Sequence, residues 1–314
     1  MFNFHCFSLG KKRVPMILAA GLCLAFALSL IFTYSNQSFV NSDSSYIKWV
    51  EFNIPYSVLR KAIELDIRSQ REDVKLDFIE LLAYLSSKNG GNYKNHKDEA
   101  LNSLVKRLKD GERMQDITEG VKLYPYYIEA YSAILSEYVG EYETDSGARY
   151  GVKVRHPVKG SYTESDDFGN ARNYGFKRVH LGHDFMAGIG TTVCAMEGGV
   201  VEALGWNQYG GWRIGIRSFD GKRYYYYAHL RKDNPYAKDL AEGQTVKAGQ
   251  TIGYVGRTGY STKENVNNIE TPHLHFGIQL IFDESQKEGV NQIWIDCYQI
   301  SKLLKNPPQS VALN

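Results

Sequence analysis

The stretch IGIRSFDGKRYYYYAHL, Ile214 to Leu230, alternates on both sides of Asp220-Gly221. Asp-Gly between two alternating runs is the strongest short-range hairpin signal, because a two-residue turn needs backbone angles that Gly and Asp tolerate. A chain holding this pair of runs has to build an antiparallel sheet around them. Short strands broken by glycines follow in GQTVKAGQTIGYVGRTG, Gly243 to Gly259, and few helical runs intervene before IWIDCYQISKLLK. The second half therefore reads as an antiparallel β domain, a sandwich or open barrel.

The first half follows a different period. Val74, Phe78, Leu82 and Leu85 recur at helix spacing, and Asn89-Gly90-Gly91 supplies a stop. A second helix reads from Asp98, as N-cap, through Leu101, Leu104, Val105 and Leu108 to Gly111. A third carries Ile128, Tyr131, Leu135 and Tyr138. Each has one apolar face, so residues 50–142 are expected to form a small helical domain, with no catalytic constellation among its scattered acids and bases. The whole is an α+β multidomain chain.

Lys11, Lys12 and Arg13 precede an uncharged run, residues 14–34. As a helix it would span about 32 Å, enough for a hydrocarbon core of about 30 Å. The basic side faces the cytoplasm under the positive-inside rule, which places everything beyond outside the cell membrane in a single-pass arrangement. A cleaved signal peptide is the competing reading; the run is long for one and lacks a following small-x-small site, which favours an uncleaved transmembrane anchor. The expected order is a cytoplasmic tail (1–13), an anchor (14–34), a linker (35–49), the helical domain, a β domain over 146–300, and a C-terminal tail (301–314). Net charge is only +2, without dense Lys/Arg clustering, so nucleic acid is not an expected partner. Cys194 and Cys297 sit in no CxxC or Cys/His cluster, and the sequence leaves open a disulfide or two separate thiols.

In TPHLHFGIQL, Thr271 to Leu280, strand alternation sends His273 and His275 to one face and Leu274, Phe276 and Ile278 to the other. One face seeks the core; the other carries groups that bind a metal or move a proton. In VHLGHDFMAGIG, His180 and Asp184 are four apart, but Gly182 inside the motif argues against a helix, so this is no HExxH arrangement. A His and an Asp in a turn-then-strand need a third ligand from elsewhere, and the HLH strand is the obvious donor. Two imidazoles plus a carboxylate with an open fourth position make a catalytic zinc site.

HLGHDF and PHLHF resemble the HxxxD and HxH motifs of the LytM/lysostaphin-type zinc endopeptidases, peptidase family M23. TTVCAMEGGVVEALG, YYAHL and GQTVKAGQTIGYVGRTGYST resemble the blocks between them, in order. The resemblance covers roughly residues 146–300. It implies a β domain that binds one Zn2+ and cuts peptide bonds in peptidoglycan stem peptides or cross-bridges. Carried over by position, it implies His180, Asp184 and His275 as ligands and His229 and His273 as the catalytic pair, with His183 a bystander.

Tyr225 and Tyr227 share the alternation of His229, which makes them candidates for the rim of the cleft, although packing within an aromatic strand is the favoured reading; Tyr174 is a candidate transition-state donor. The polar insertion KENVNNIE, residues 263–270, is expected to form a longer loop near the cleft. The expected function is a membrane-anchored, zinc-dependent cell-wall endopeptidase. The alternative is a silent or latent domain of the same fold acting as a wall-binding scaffold. All three ligands and both histidines being present favours the enzyme. The helical domain is a candidate inhibitor, spacer or surface for a protein partner.

Overall fold

Seven strands build the main sheet: β1 (His183–Met186), β2 (Gly199–Asn207), β3 (Gly211–Ser218), β4 (Arg223–Ala228), β5 (Thr245–Val246), β6 (His273–Leu280) and β7 (Ile293–Ile295). Their order is β5-β2-β3-β4-β6-β7, every pairing is antiparallel, and β1 joins the open side of β6 beside its first half. The Asp220-Gly221 turn links β3 to β4 as expected, with Gly221 at φ 74°. The computed structural model describes residues 46–173 and 177–313.

Alternation decides which residues make the core. Tyr225 and Tyr227 of β4 and Leu274, Phe276 and Ile278 of β6 are all buried on one face. There the sheet meets a smaller one formed by Val158–Lys159, Thr192–Cys194 and Thr251–Tyr254. The two sheets touch closely: the Tyr227 hydroxyl accepts from the Met196 amide at 2.9 Å, and Gly253 lies against Ile214. Removing large apolar side chains from water in this way is the main drive for the β layers to close.

The helical region holds Tyr56–Ser69, Phe78–Asn89, Asp98–Lys109, the short Met114–Thr118 and Tyr124–Leu135. Phe78–Asn89 starts later than its apolar spacing suggests. Asp77 caps it by accepting from the Ile79 and Glu80 amides, so Val74 stays outside, and Gly90 stops it in the left-handed conformation. Asp98 is the first residue of its helix rather than the cap, which is Lys97. Tyr56–Ser69 carries an apolar face that the periodicity did not single out; Leu59, Ala62 and Ile63 are buried on it.

Residues 50–314 form one compact unit. Near the C-terminus the helix Tyr298–Lys305 buries Leu303 and Leu304, and Val311–Ala312 pairs with the strand Gly147–Val152. A buried polar knot ties helices to sheet. Arg223 at the start of β4 donates to the Ala133 carbonyl at 2.6 Å and pairs with Glu197 at 2.8 Å and Asp220 at 2.9 Å. Cys194 and Cys297 are separate buried thiols, which answers the open question of a disulfide between them. Among the described residues no helix is long and apolar enough to cross a membrane. The expected tail 1–13 and anchor 14–34, and linker residues 35–45, lie outside the described residues.

Candidate active site

The antiparallel register of β1 and β6 sets Asp184 directly opposite His275. Side chains directly opposite share a face, so the carboxylate and the imidazole meet without any loop having to deliver them. His180 arrives from the segment just before β1. Its Nε2 lies 3.1 Å from Asp184 Oδ1 and 2.9 Å from His275 Nδ1, and His275 Nδ1 is 3.0 Å from Asp184 Oδ1. Gly182 makes this approach possible. A Cβ there would stand 2.6 Å from His275 Cε1 and 2.6 Å from the Phe276 carbonyl oxygen.

These three atoms fit a zinc ion. Tetrahedral bonds of 2.0–2.1 Å place neighbouring ligand atoms about 3.3 Å apart, and the three observed separations fall slightly inside that value. Two imidazole nitrogens and a carboxylate oxygen are also the donor set of open zinc sites. Among the described residues it is the one group of three such side chains close enough to hold a metal.

A further ring of charge fixes the ligands. Arg172 Nη2 lies 2.8 Å from Asp184 Oδ2 and 2.9 Å from Asp167 Oδ2, leaving Asp184 Oδ1 for the ion. His180 Nδ1 faces the Asp167 carbonyl at 3.0 Å, which accepts its proton and so presents Nε2 as the ligand atom. Burial acts to lower the His180 pKa, but the Asp167 and Asp184 carboxylates outweigh it and lift it to about 9. Burial acts to raise the Asp184 carboxyl; His180 and His275 outweigh it and hold it well below the usual range. A cation at this site would compete with the proton held on His180, while Asp184 is already ionised to receive it.

His183 points the other way, as alternation along β1 requires. It is fully buried, with Nδ1 2.8 Å from Asp167 Oδ1 and Nε2 3.3 Å from Glu164 Oε2. It is no ligand, but it helps hold Asp167 under His180. Asp167, Glu164 and Arg172 come from a polar segment without periodicity. Nothing in its spacing distinguishes them from other charges there.

His229 and His273 stand beside the ligands, with ring centroids 4.8 Å apart. His229 Nδ1 donates to the Thr258 carbonyl at 2.9 Å, and His273 Nδ1 donates to the Thr271 carbonyl at 2.8 Å. A carbonyl only accepts, so in each neutral ring the proton sits on Nδ1 and Nε2 keeps its lone pair. Burial, with the nearby His273 and His275 rings, pushes the His229 pKa well below its ordinary value. Burial likewise lowers that of His275.

One part of the expectation needs correcting. Tyr225 and Tyr227 are fully buried core residues, not cleft residues, and Tyr226 lines the cleft instead. The reason is a break in alternation: His229 follows β4 with φ 63°, a left-handed backbone that turns its ring onto the face of Tyr226 and His275. That conformation is pinned because the His229 amide donates to Gly210 O at 2.7 Å and its carbonyl accepts from the Gly256 amide at 3.1 Å. Tyr260, also at positive φ (48°), turns into the same cleft. Tyr174 lies outside the described residues.

The cleft is a cavity of about 280 Å3 lined by residues between Arg172 and His275 only. Neither the helical region nor the 263–270 insertion contributes to it; Asn265 of the insertion instead accepts from the Trp212 indole at 2.9 Å. A larger groove of about 920 Å3 lies between the helices, at Lys88, His96 and Arg107, and shares no lining residue with the cleft.

Residues 178–291 match the family model described as Peptidase family M23. The chain is similar to the L-Ala–D-Glu endopeptidase of Bacillus subtilis (strain 168), 43% identical over 122 residues, 39% of this chain and 36% of that protein. It is also similar to lysostaphin of Staphylococcus simulans, 43% identical over 99 residues, 31% of this chain and 17% of that one. The matched part thus spans little more than a third of the first relative and less than a fifth of the second. A solved structure of a candidate glycyl-glycine endopeptidase lytM from Ruminococcus gnavus superposes over 80% of this chain and 86% of its own, with a TM-score of 0.53 and 25% identity.

Proposed function

Residues 178–291 form a peptidase family M23 domain, and on that premise we propose that the chain is a zinc-dependent endopeptidase hydrolysing peptide bonds of peptidoglycan, in stem peptides or cross-bridges. The observation that carries the reading is the meeting of His180 Nε2, Asp184 Oδ1 and His275 Nδ1 within 3.1 Å of one another beside two further imidazoles. The named relatives support the substrate class, since one is described by an L-Ala–D-Glu bond and one solved neighbour by a glycyl-glycine bond.

His180, Asp184 and His275 hold the ion, which when bound supplies Lewis-acid polarisation of the scissile carbonyl and lowers the pKa of water. The rest falls to the chain's own groups. His229 and His273 enter as Nε2 acceptors, so either ring takes a proton from the attacking water. A ring that has taken it becomes an Nε2–H donor facing the cleft, placed to stabilise the tetrahedral oxyanion and then to protonate the leaving amine. Arg172 and Asp167 keep the ligands aimed without touching substrate.

The chain is further proposed to be anchored in the bacterial cell membrane through residues 14–34, with the tail cytoplasmic and the peptidase domain extracytoplasmic. The basic cluster ahead of the uncharged run supports this. The helical region is proposed as a spacer or partner surface rather than an inhibitor, because no residue of it lines the cleft.

The test is release of new free amines from purified peptidoglycan, with and without a zinc chelator. Chelator-sensitive release is expected, and the residue bearing the new amine names the bond. Zinc-loaded protein that releases none would overturn the endopeptidase reading.

A further inference from the structure

Arg172 and Arg178 face each other directly across the hairpin formed by Ala171–Asn173 and Lys177–Val179. Like charges in that position repel. Arg172 is neutralised by Asp167 and Asp184. Arg178 is not. No carboxylate lies within ion-pairing distance of it among the described residues, where its Nε is a buried donor without a hydrogen-bond partner. Its guanidinium instead lies over two cleft tyrosines, with Cζ 4.8 Å from the Tyr260 ring centre and 6.0 Å from that of Tyr209. Stacking engages the face of the guanidinium and leaves its in-plane donors for a planar, anionic partner.

Arg178 lines the same cavity as His180, Asp184 and His275. Within that cavity and its supporting ring, Arg172 and Arg178 stand against the carboxylates of Asp167, Asp184 and Glu164, one negative charge in excess, so a divalent ion still leaves the cleft positive. Neutral glycine peptides offer such a site nothing to pair with. A peptide carrying a free carboxylate next to the scissile bond does.

We propose that Arg178, stacked on Tyr260 and Tyr209, is a specificity-determining residue that binds a free carboxylate on the residue flanking the scissile bond, directing the site to acidic stem peptides over glycine bridges. This rests on the endopeptidase reading above. Arg178 pairs with the carboxylate in the fork geometry that guanidinium and carboxylate share, and the tyrosines fix the plane of that fork. It makes no bond to the reacting atoms; it sets which peptide lies across them.

The experiment uses the zinc-loaded full chain and two synthetic peptides with an L-Ala–D-Glu bond. In one, the Glu carboxyl not used in the chain is free; in the other it is a carboxamide. Pentaglycine is the third substrate. A charge-assisted pair predicts kcat/KM about 10- to 100-fold higher for the free acid than for the amide, and lower still for pentaglycine. Arg178→Met brings the acid-to-amide ratio to about one, and Arg178→Lys retains part of it. Zinc content is measured for each variant, and where Arg178→Met fails to hold zinc the Lys variant carries the comparison. A wild-type ratio near one, or a ratio that survives Arg178→Met while both rates fall together, overturns the proposal. If no peptide is cut, the endopeptidase reading fails, and calorimetric binding of the same peptides decides this one separately. Tighter binding of the acid in wild type, lost in Arg178→Met, upholds it; equal binding overturns it.

Discussion

His180 Nε2 and His275 Nδ1 stand 2.9 Å apart although 95 residues separate them in the chain. Sheet register brings them together: β1 pairs with β6, and His180 lies three positions before the first residue of β1, its ring turned to Asp184. Without an ion, a proton on His180 is what Asp184 holds, as the raised His180 pKa shows, and two imidazole nitrogens left facing each other still want a shared cation.

Removing one ligand should therefore separate metal from structure. Asp184→Ala is expected to lose bound zinc and activity together, since two imidazoles alone make a poor site. His229→Ala and His273→Ala should keep stoichiometric zinc while losing turnover by about 100- to 10,000-fold, the range for a removed proton-transfer group. Elemental analysis beside the amine-release assay checks both. If His273→Ala strips the metal as Asp184→Ala does, the division of labour along the HLH strand is wrong.

Gly182→Ala tests the approach of the His275 ring. The added methyl would meet that ring and the Phe276 carbonyl oxygen, both at 2.6 Å, and that carbonyl is backbone of β6, fixed between β4 and β1. His275 should yield instead. Zinc affinity is expected to fall about 10- to 100-fold, as when the support of a ligand is removed, with little change in far-ultraviolet circular dichroism. Competition with a chromophoric chelator measures it.

Arg223→Leu should report on how the helical region is held. Arg223 is fully buried, and its loss leaves the buried Glu197 carboxylate without its counter-charge, with the Tyr225 hydroxyl still donating to it, and the Ala133 carbonyl without the guanidinium donor. Breaking a buried pair from one side costs about 3–5 kcal/mol. Thermal unfolding should show a large fall in midpoint, and Arg223→Leu combined with Glu197→Gln should recover part of it. An equal fall in the double variant would mean that the link to Ala133, rather than the ion pair, sets the cost.

Much of the site was readable in advance because it rests on strand parity and on residue types few other roles require. His273 and His275 share a face by alternation alone, and the motif around His180 and Asp184 names its own partners. Parity misled at one point. It put Tyr225 and Tyr227 with His229, but the positive φ of His229 reverses the side chain, and neither composition nor spacing announces a left-handed non-glycine residue. The Asp167, Glu164 and Arg172 ring was equally hidden, since those side chains reach the ligands from a segment with no period. Helix existence followed from apolar spacing, while the helix Tyr56–Ser69 and the docking of residues 301–314 depend on tertiary partners that a local pattern does not name.

The last expectation concerns acid sensitivity away from the metal ligands. His156 stacks on Tyr162 at a centroid distance of 4.4 Å; its Nδ1 accepts from the Val158 amide at 3.0 Å and its Nε2 lies 3.2 Å from Ser301 Oγ. Burial pushes its pKa from 6.5 down to about 4, outweighing the Val158 carbonyl 3.0 Å from Nδ1 and the Glu164 carboxylate, which both favour the charged ring. The unfolded chain therefore binds the proton more readily than the folded one. Above pH 6.5 neither state is protonated and the stability from this group is fully present. As pH falls from 6.5 to 4 it is lost progressively, on the order of 3 kcal/mol in all, and below 4 the loss levels off. His156→Gln should be less stable than wild type at pH 7, having lost the stacking, yet its stability should fall less steeply between pH 6.5 and 4. Urea unfolding at a series of pH values measures the difference. Parallel slopes in the two proteins would show that His156 is not the group that titrates.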